Sequence, residues 1–110
     1  MNKSYRRGSH RVMKRSRVVV LWKSGLHLRP AAMLVQAAKD FQSTIYLKCG
    51  GKIADLRSIL SVIALCATMG TGLDVEAVGD DEQDAVRAIE QIFSSHAGAD
   101  ATPGSQQQKL

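Results

Sequence analysis

Between Thr44 and Leu56 the chain reads TIYLKCGGKIADL, two short segments parted by paired glycines. In TIYLKC the residues Ile45, Leu47 and Cys49 fall on one face, and Thr44, Tyr46 and Lys48 on the other. A period of two is the mark of a half-buried strand. Gly50 and Gly51 can supply the positive φ angles of a two-residue hairpin turn, which makes KIADL the returning strand. Alternation of this kind leaves one face for a core and the other for water.

The flanking segments supply further elements. Residues 17 to 22, RVVVLW, are a short β-branched run that predicts a strand covered on at least one face, ended by Gly25. From Pro30 the apolar spacing becomes helical, with Ala31, Leu34, Val35, Ala38 and Phe41 on one stripe. Proline is tolerated there because the first-turn N–H groups have no partner within the helix. A second helix is predicted from Ser58 to about Met69, with Ile59, Val62, Ile63 and Cys66 on its stripe and Gly70 to end it. LDVEAV alternates again and is the fourth strand. Asp80 or Asp81 can cap a last helix whose stripe is Ala85, Ala88, Ile89 and Ile92. The order β-α-β-β-α-β-α predicts an α/β (α+β) open-faced sandwich. Its four-stranded, mainly antiparallel sheet carries three helices on one face.

Charge divides the 110 residues unevenly. The formal net charge of +5 hints at nucleic acid, but seven of the 15 basic residues lie in the first 17 positions, where no acidic residue occurs. The remainder holds eight basic and ten acidic residues, so the folded body is slightly acidic. The reading is a basic arm over 1–16, one domain over 17–94, and a tail over 95–110. Rich in Gly, Ala, Ser, Pro and Gln, that tail is expected to be disordered. Residues 1 to 12 have no strand or helix pattern, and Met13 stands just before the first strand. A mis-assigned start at Met1 is favoured over an arm that docks on an anionic surface. A plain basic tail is likewise favoured over a transit peptide.

The apolar run Val18 to Trp22 is too short for a signal-peptide core or a membrane span. Aromatics are only 5% of the chain against 45% hydrophobic residues, so the core is built from Val, Ile, Leu, Ala and Met. Cys49 and Cys66 have neither CxxC nor zinc spacing. Two buried free thiols in a reducing cytoplasm are expected.

The stretch SGLHLRPAA places His27, one of three histidines, at the start of the first helix with Arg29 beside it. Helix-start N–H groups and the helix dipole favour an anion and oppose protonation of a nearby imidazole. Arg29 adds a permanently charged planar donor fork that suits phosphate oxygens. A neutral ring nitrogen, backbone donors and a guanidinium together can accept and hold a phosphoryl group. Taken alone, a histidine at a helix start is usually a cap or a surface residue, and His-x-Arg-Pro is a weak pattern. No metal site, cofactor motif, Ser-His-Asp set or Cys-His pair can be assigned.

GLHLRPAAMLVQAAKDF, followed by LRSILSVIALCATMGTGLDVEAVGDDEQDAVRAIEQIF, resembles HPr, the histidine-containing phosphocarrier of the bacterial phosphoenolpyruvate-dependent phosphotransferase system. The resemblance runs over about residues 17 to 94 without a sizeable insertion. It takes in the His-x-Arg-Pro-Ala site, the Ser-Ile helix start and the acidic approach to the last helix. It implies that His27 accepts a phosphoryl group on Nδ1 from enzyme I and passes it to an A-type component of a sugar permease, or to a regulatory counterpart. It implies also that Arg29 assists the transfer. Ser58 matches a regulatory serine modified by a bifunctional kinase/phosphorylase; without the resemblance Ser58 is an ordinary helix cap. A cytoplasmic, monomeric carrier with no turnover of its own and no cofactor is expected.

Some residues depart from the family pattern. Leu28 stands where the family commonly has alanine, and Arg57 where it frequently has lysine. Ile59, Leu60 and Ile63 correspond to the family's apolar partner patch, while the arm and tail lie outside the pattern. A small RNA-binding module is the reading from another class. It calls for exposed aromatics and basic residues on the sheet, whereas Tyr46 is the only aromatic on an exposed strand phase, so no DNA or RNA partner is expected. A regulatory variant, serving nitrogen metabolism or gene control, stays open within the family.

Overall fold

The computed structural model describes residues 13–95, and its elements follow the expected order β-α-β-β-α-β-α. Strands β1 (Lys14–Val19), β2 (Thr44–Cys49), β3 (Lys52–Asp55) and β4 (Gly72–Val78) form one sheet in the order β1-β4-β2-β3. Each neighbouring pair is antiparallel. Helices α1 (Leu28–Ala38), α2 (Ile59–Ile63) and α3 (Glu82–Ser95) form the second layer. α3 lies across β1, β4 and β2, α2 lies against β3, and α1 packs on both other helices. The proposed arm up to residue 12 and the tail from residue 96 lie outside the described residues.

The alternation in the strands points their apolar halves at those helices. Val18, Ile45, Leu47, Ala54, Leu73, Val75 and Ala77 are all buried. α1 contributes Pro30, Ala31, Leu34 and Ala38, and α3 contributes Ala85, Val86, Ile89 and Phe93. Trp22 is fully buried, with its ring 5.1 Å from that of Phe93 and tilted by 53°. This is the tilted geometry that aromatic pairs favour. The hairpin closes as expected over Gly50-Gly51, though only Gly50 takes a positive φ, 61°.

Five expectations are corrected. The first strand lies at 14–19 instead of 17–22, because pairing with β4 continues into the charged residues. Arg15 sits opposite Glu76 and Arg17 opposite Asp74, so opposite charges face each other across the strands. Beyond Val19 the ladder runs out at the turn before β4. There Val20 N–H still donates to Thr71 O (2.9 Å), and Gly70 N–H donates to Val20 O (2.7 Å). The β-branched run therefore reports burial more than pairing.

The second helix is five residues long, not twelve. Leu65 N–H bonds Val62 O (3.2 Å), Cys66 N–H bonds Ile63 O (3.0 Å), and Cys66 then takes a φ of 53°. That reversal sends both Leu65 and Ala67 into the core and leaves Cys66 exposed. Cys49 is only half-buried, so the expected pair of buried thiols is not found.

The outer sheet face is not simply left to water. Glu76 is buried there, held by Arg15 Nε at 3.1 Å and Lys48 Nζ at 3.0 Å. A buried carboxylate needs such partners, since an unpaired charge out of water is strongly disfavoured. Finally, Asp81 precedes α3, but its carboxylate serves another element. It accepts from Gln42 N–H (2.8 Å), Ser43 N–H (2.9 Å) and Ser43 Oγ (2.5 Å), tying the α1–β2 turn to the start of α3.

Candidate functional site

The loop ahead of α1 is built from its backbone. Gly25 N–H bonds Trp22 O (2.9 Å), and Gly25 takes a φ of 77°, a conformation that L-residues adopt only at a cost. A Cβ at this position would lie 2.6 Å from Ala67 O and 3.2 Å from Thr68 Cα. The loop therefore rests directly on the segment that leaves α2. Leu26 N–H bonds Ala67 O (2.8 Å), and the Leu26 side chain is buried.

This anchoring delivers His27 to the N-cap of α1. Its backbone is extended (φ −93°, ψ −165°), and its carbonyl accepts the first helical bond, from Ala31 N–H at 3.0 Å. Its side chain makes no capping bond to the helix. His27 is half-buried, Arg29 is exposed one turn position further, and Pro30 is buried beneath them. Pro30 is third in the helix, where its missing N–H costs nothing. No acidic residue stands in the first turn of α1. The positive end of the helix dipole and the Arg29 charge thus act together at this point.

Ser58 opens α2 as its N-cap, accepting from Ser61 N–H at 3.2 Å. It is exposed, as is Arg57 before it. Arg57 is held by Asp55 through a forked contact, with Nη2 2.7 Å from Oδ2 and Nε 3.1 Å from Oδ1. The Arg57 guanidinium bond holds the Asp55 carboxyl below its ordinary range, and Asp55 raises Arg57 in return. Ser61 Oγ completes the turn by donating to Asp55 O (2.9 Å) and accepting from Asp55 N–H (3.1 Å). Sequence reading singled out neither Asp55 nor Ser61. The Asp-x-Arg-Ser-x-x-Ser spacing at the strand end was the available signal.

The His27 loop is fixed to the segment leaving α2, and Ser58 opens that helix. A five-residue helix is only about 8 Å long. Of the apolar trio, Leu60 is 74% exposed, whereas Ile59 and Ile63 pack partly against the core. Among the described residues no group of His, Cys, Asp and Glu side chains is placed to hold a metal ion, and no helix is long and apolar enough to cross a membrane.

The family described as PTS HPr component phosphorylation site matches residues 14–95. The chain belongs to the HPr family. That family consists of phosphocarriers of the phosphotransferase system that carry phosphate on a histidine. The phosphocarrier protein HPr of Bacillus anthracis is 32% identical, covering 74% of this chain and 98% of that one, with a TM-score of 0.70. The histidine-containing phosphocarrier protein of Mycoplasma is 33% identical, covering 76% and 96%, with a TM-score of 0.73. Crh, the catabolite repression HPr of Bacillus subtilis, is 36% identical over 71% of this chain and 90% of its own, with a TM-score of 0.62. The family match begins at Lys14, the first residue of β1.

Proposed function

We propose that this chain accepts a phosphoryl group on His27 Nδ1 from phosphorylated enzyme I and passes it to an A-type component of a sugar permease. The observation that carries the reading is the placement of His27. It is an N-cap residue whose side chain does not cap, at the positive end of an eleven-residue helix, with Arg29 two residues on. In the transfer the imidazole Nδ1 lone pair forms the new N–P bond as the donor's bond to phosphorus breaks. Backbone amides and Arg29 stabilise the charge spread over the phosphoryl oxygens. The phosphoramidate so formed retains its transfer potential, and its N–P bond breaks, returning the electron pair to Nδ1, as a group of the acceptor attacks phosphorus.

In this reading the protein is a substrate of other enzymes, works in the cytoplasm as a monomer, and needs no cofactor. The domain over residues 17–94, with β1 extended back to Lys14, is the carrier unit. The test uses enzyme I, Mg²⁺ and phosphoenolpyruvate labelled in its phosphate. An acid-labile label should enter the wild type, move to an A-type acceptor on chase, and be absent from His27→Ala. Label at the wild-type level in His27→Ala overturns the proposal.

A regulatory role is the second reading. It is favoured by the exposed Ser58 at the α2 N-cap and by the similarity to Crh, whose name ties it to catabolite repression. A bifunctional kinase/phosphorylase would place a phosphate where the start of α2 and the neighbouring Arg57 are electrically favourable.

A further inference from the structure

Asp55, Arg57 and Ser58 share one tight turn between β3 and α2. Ser58 N–H bonds Asp55 O at 3.0 Å and closes it. Ser61 Oγ clips it from the next helical turn, lying 2.9 Å from both Asp55 O and Ser58 O. A carboxylate, a guanidinium and a hydroxyl are thus gathered on four consecutive residues. From the neighbouring strand β2, Tyr46 stands opposite Asp55, and Lys48 is already paired with Glu76.

The Arg57 guanidinium turns back to Asp55, with Nη2 2.7 Å from Oδ2. The two side chains are 73% and 30% exposed, and an ion pair so open to water is weak. Asp55 does not depend on it, because its Oδ1 also accepts from Arg57 N–H at 2.9 Å. The guanidinium can therefore leave without stranding the carboxylate. A phosphate ester is the stronger anion, with a charge of about −1.5 to −2 near neutral pH and three acceptor oxygens. It also suits the planar donor fork of arginine.

We propose that Asp55 and a phosphate on Ser58 compete for Arg57, which stays with Asp55 while Ser58 is unmodified and passes to the phosphate once it is attached. Modification then changes two side chains besides adding charge: Arg57 turns to the phosphate, and the Asp55 carboxylate is left to water and its backbone donor. Asp55 thereby sets how firmly the phosphate is held. The inference rests on the regulatory reading of Ser58.

The test uses the full chain with phosphoserine placed at position 58 by genetic encoding, so that no kinase is needed. The second ionisation of the phosphate, about 6 in a free phosphoserine, is followed by ³¹P NMR. Four forms are compared: the parent, Asp55→Asn, Arg57→Gln and the double variant. Asparagine keeps an oxygen for Arg57 N–H, so the turn is retained. Removing Arg57 should raise the phosphate pKa by about half a unit with Asp55 present. With Asp55→Asn the same change should raise it by about one unit, because the guanidinium then serves the phosphate alone. Equal shifts in the two backgrounds overturn the proposal, since the groups would then act independently. A smaller shift in Asp55→Asn overturns it too, by making Asp55 a residue that positions Arg57 for the phosphate. The bifunctional kinase/phosphorylase is tried separately on the wild type. If it leaves Ser58 unmodified, the regulatory reading fails, while the ³¹P titrations still decide the exchange.

Discussion

Replacing Gly25 by alanine strains the loop that carries His27 in two separable ways. The position has a φ of 77°, and a left-handed conformation costs an L-residue about 1–2 kcal/mol. The new Cβ would also stand 2.6 Å from Ala67 O and 3.2 Å from Thr68 Cα, both backbone atoms that cannot swing aside. The loop must lift, which loosens the Leu26 N–H to Ala67 O bond, a contact worth roughly 0.5–1.5 kcal/mol. Together these come to about 2–3 kcal/mol. For a domain of this size that corresponds to a fall in Tm of about 8–20 °C. Gly51→Ala is the control, since nothing lies within 4 Å of a Cβ there, and its effect should stay within about 0.5 kcal/mol. Thermal and urea unfolding followed by far-ultraviolet circular dichroism measure both. Below its Tm, the folded Gly25→Ala protein should also load phosphate more slowly than wild type. A Tm for Gly25→Ala indistinguishable from that of Gly51→Ala would refute this account of how the loop is held.

Arg29→Ala should leave Tm unchanged and slow single-turnover loading by about tenfold, since it removes an exposed charge contact and not the nucleophile; equal rates would take Arg29 out of the mechanism. Ser58→Asp should fold normally and load from enzyme I more slowly than wild type, because it adds negative charge at the exposed N-cap of α2; a wild-type rate in the same assay counts against the regulatory reading. The Ser43 hydroxyl and the Gln42 and Ser43 amides hold the Asp81 carboxyl below its ordinary range, as Arg57 holds that of Asp55. Groups with lowered folded pKa stabilise fully above their unfolded value, about 3.9 for aspartate, and lose that contribution as pH falls through the folded value. The Tm of the wild type should therefore decline below about pH 4, and Asp81→Asn should flatten part of that acid limb. An acid limb of unchanged slope in Asp81→Asn would show that this carboxylate is not involved.

Where periodicity and local turn chemistry agree, the sequence was a sufficient guide. TIYLKC, the Gly50-Gly51 reversal and LDVEAV became β2, the hairpin and β4, with Ile45, Leu47, Leu73 and Val75 inward as the alternation requires. His27 and Arg29 likewise lie at a helix start, which the Leu-Arg-Pro-Ala-Ala composition made visible. What escaped the reading depends on partners distant in the chain. Glu76 looked like a solvated strand residue because Arg15 and Lys48, which hold it, are 61 and 28 positions away. Asp81 looked like a cap because the Ser43 turn that claims its carboxylate is 38 positions away. α2 was overextended for a different reason. Cys66 adopts a positive φ that its residue type disfavours, so the helical stripe continued in the sequence after the helix had ended.

In the proposed function His27 itself takes the phosphoryl group. The most direct measurement is an NMR spectrum of the imidazole ¹⁵N and ³¹P nuclei, recorded on the full chain after loading by enzyme I and phosphoenolpyruvate. One phosphorylated histidine is expected, His27, substituted at Nδ1, with a signal that disappears on brief acid treatment. Phosphate found on His10, His96 or Ser58 in this reaction, with the His27 ring unchanged, would contradict it.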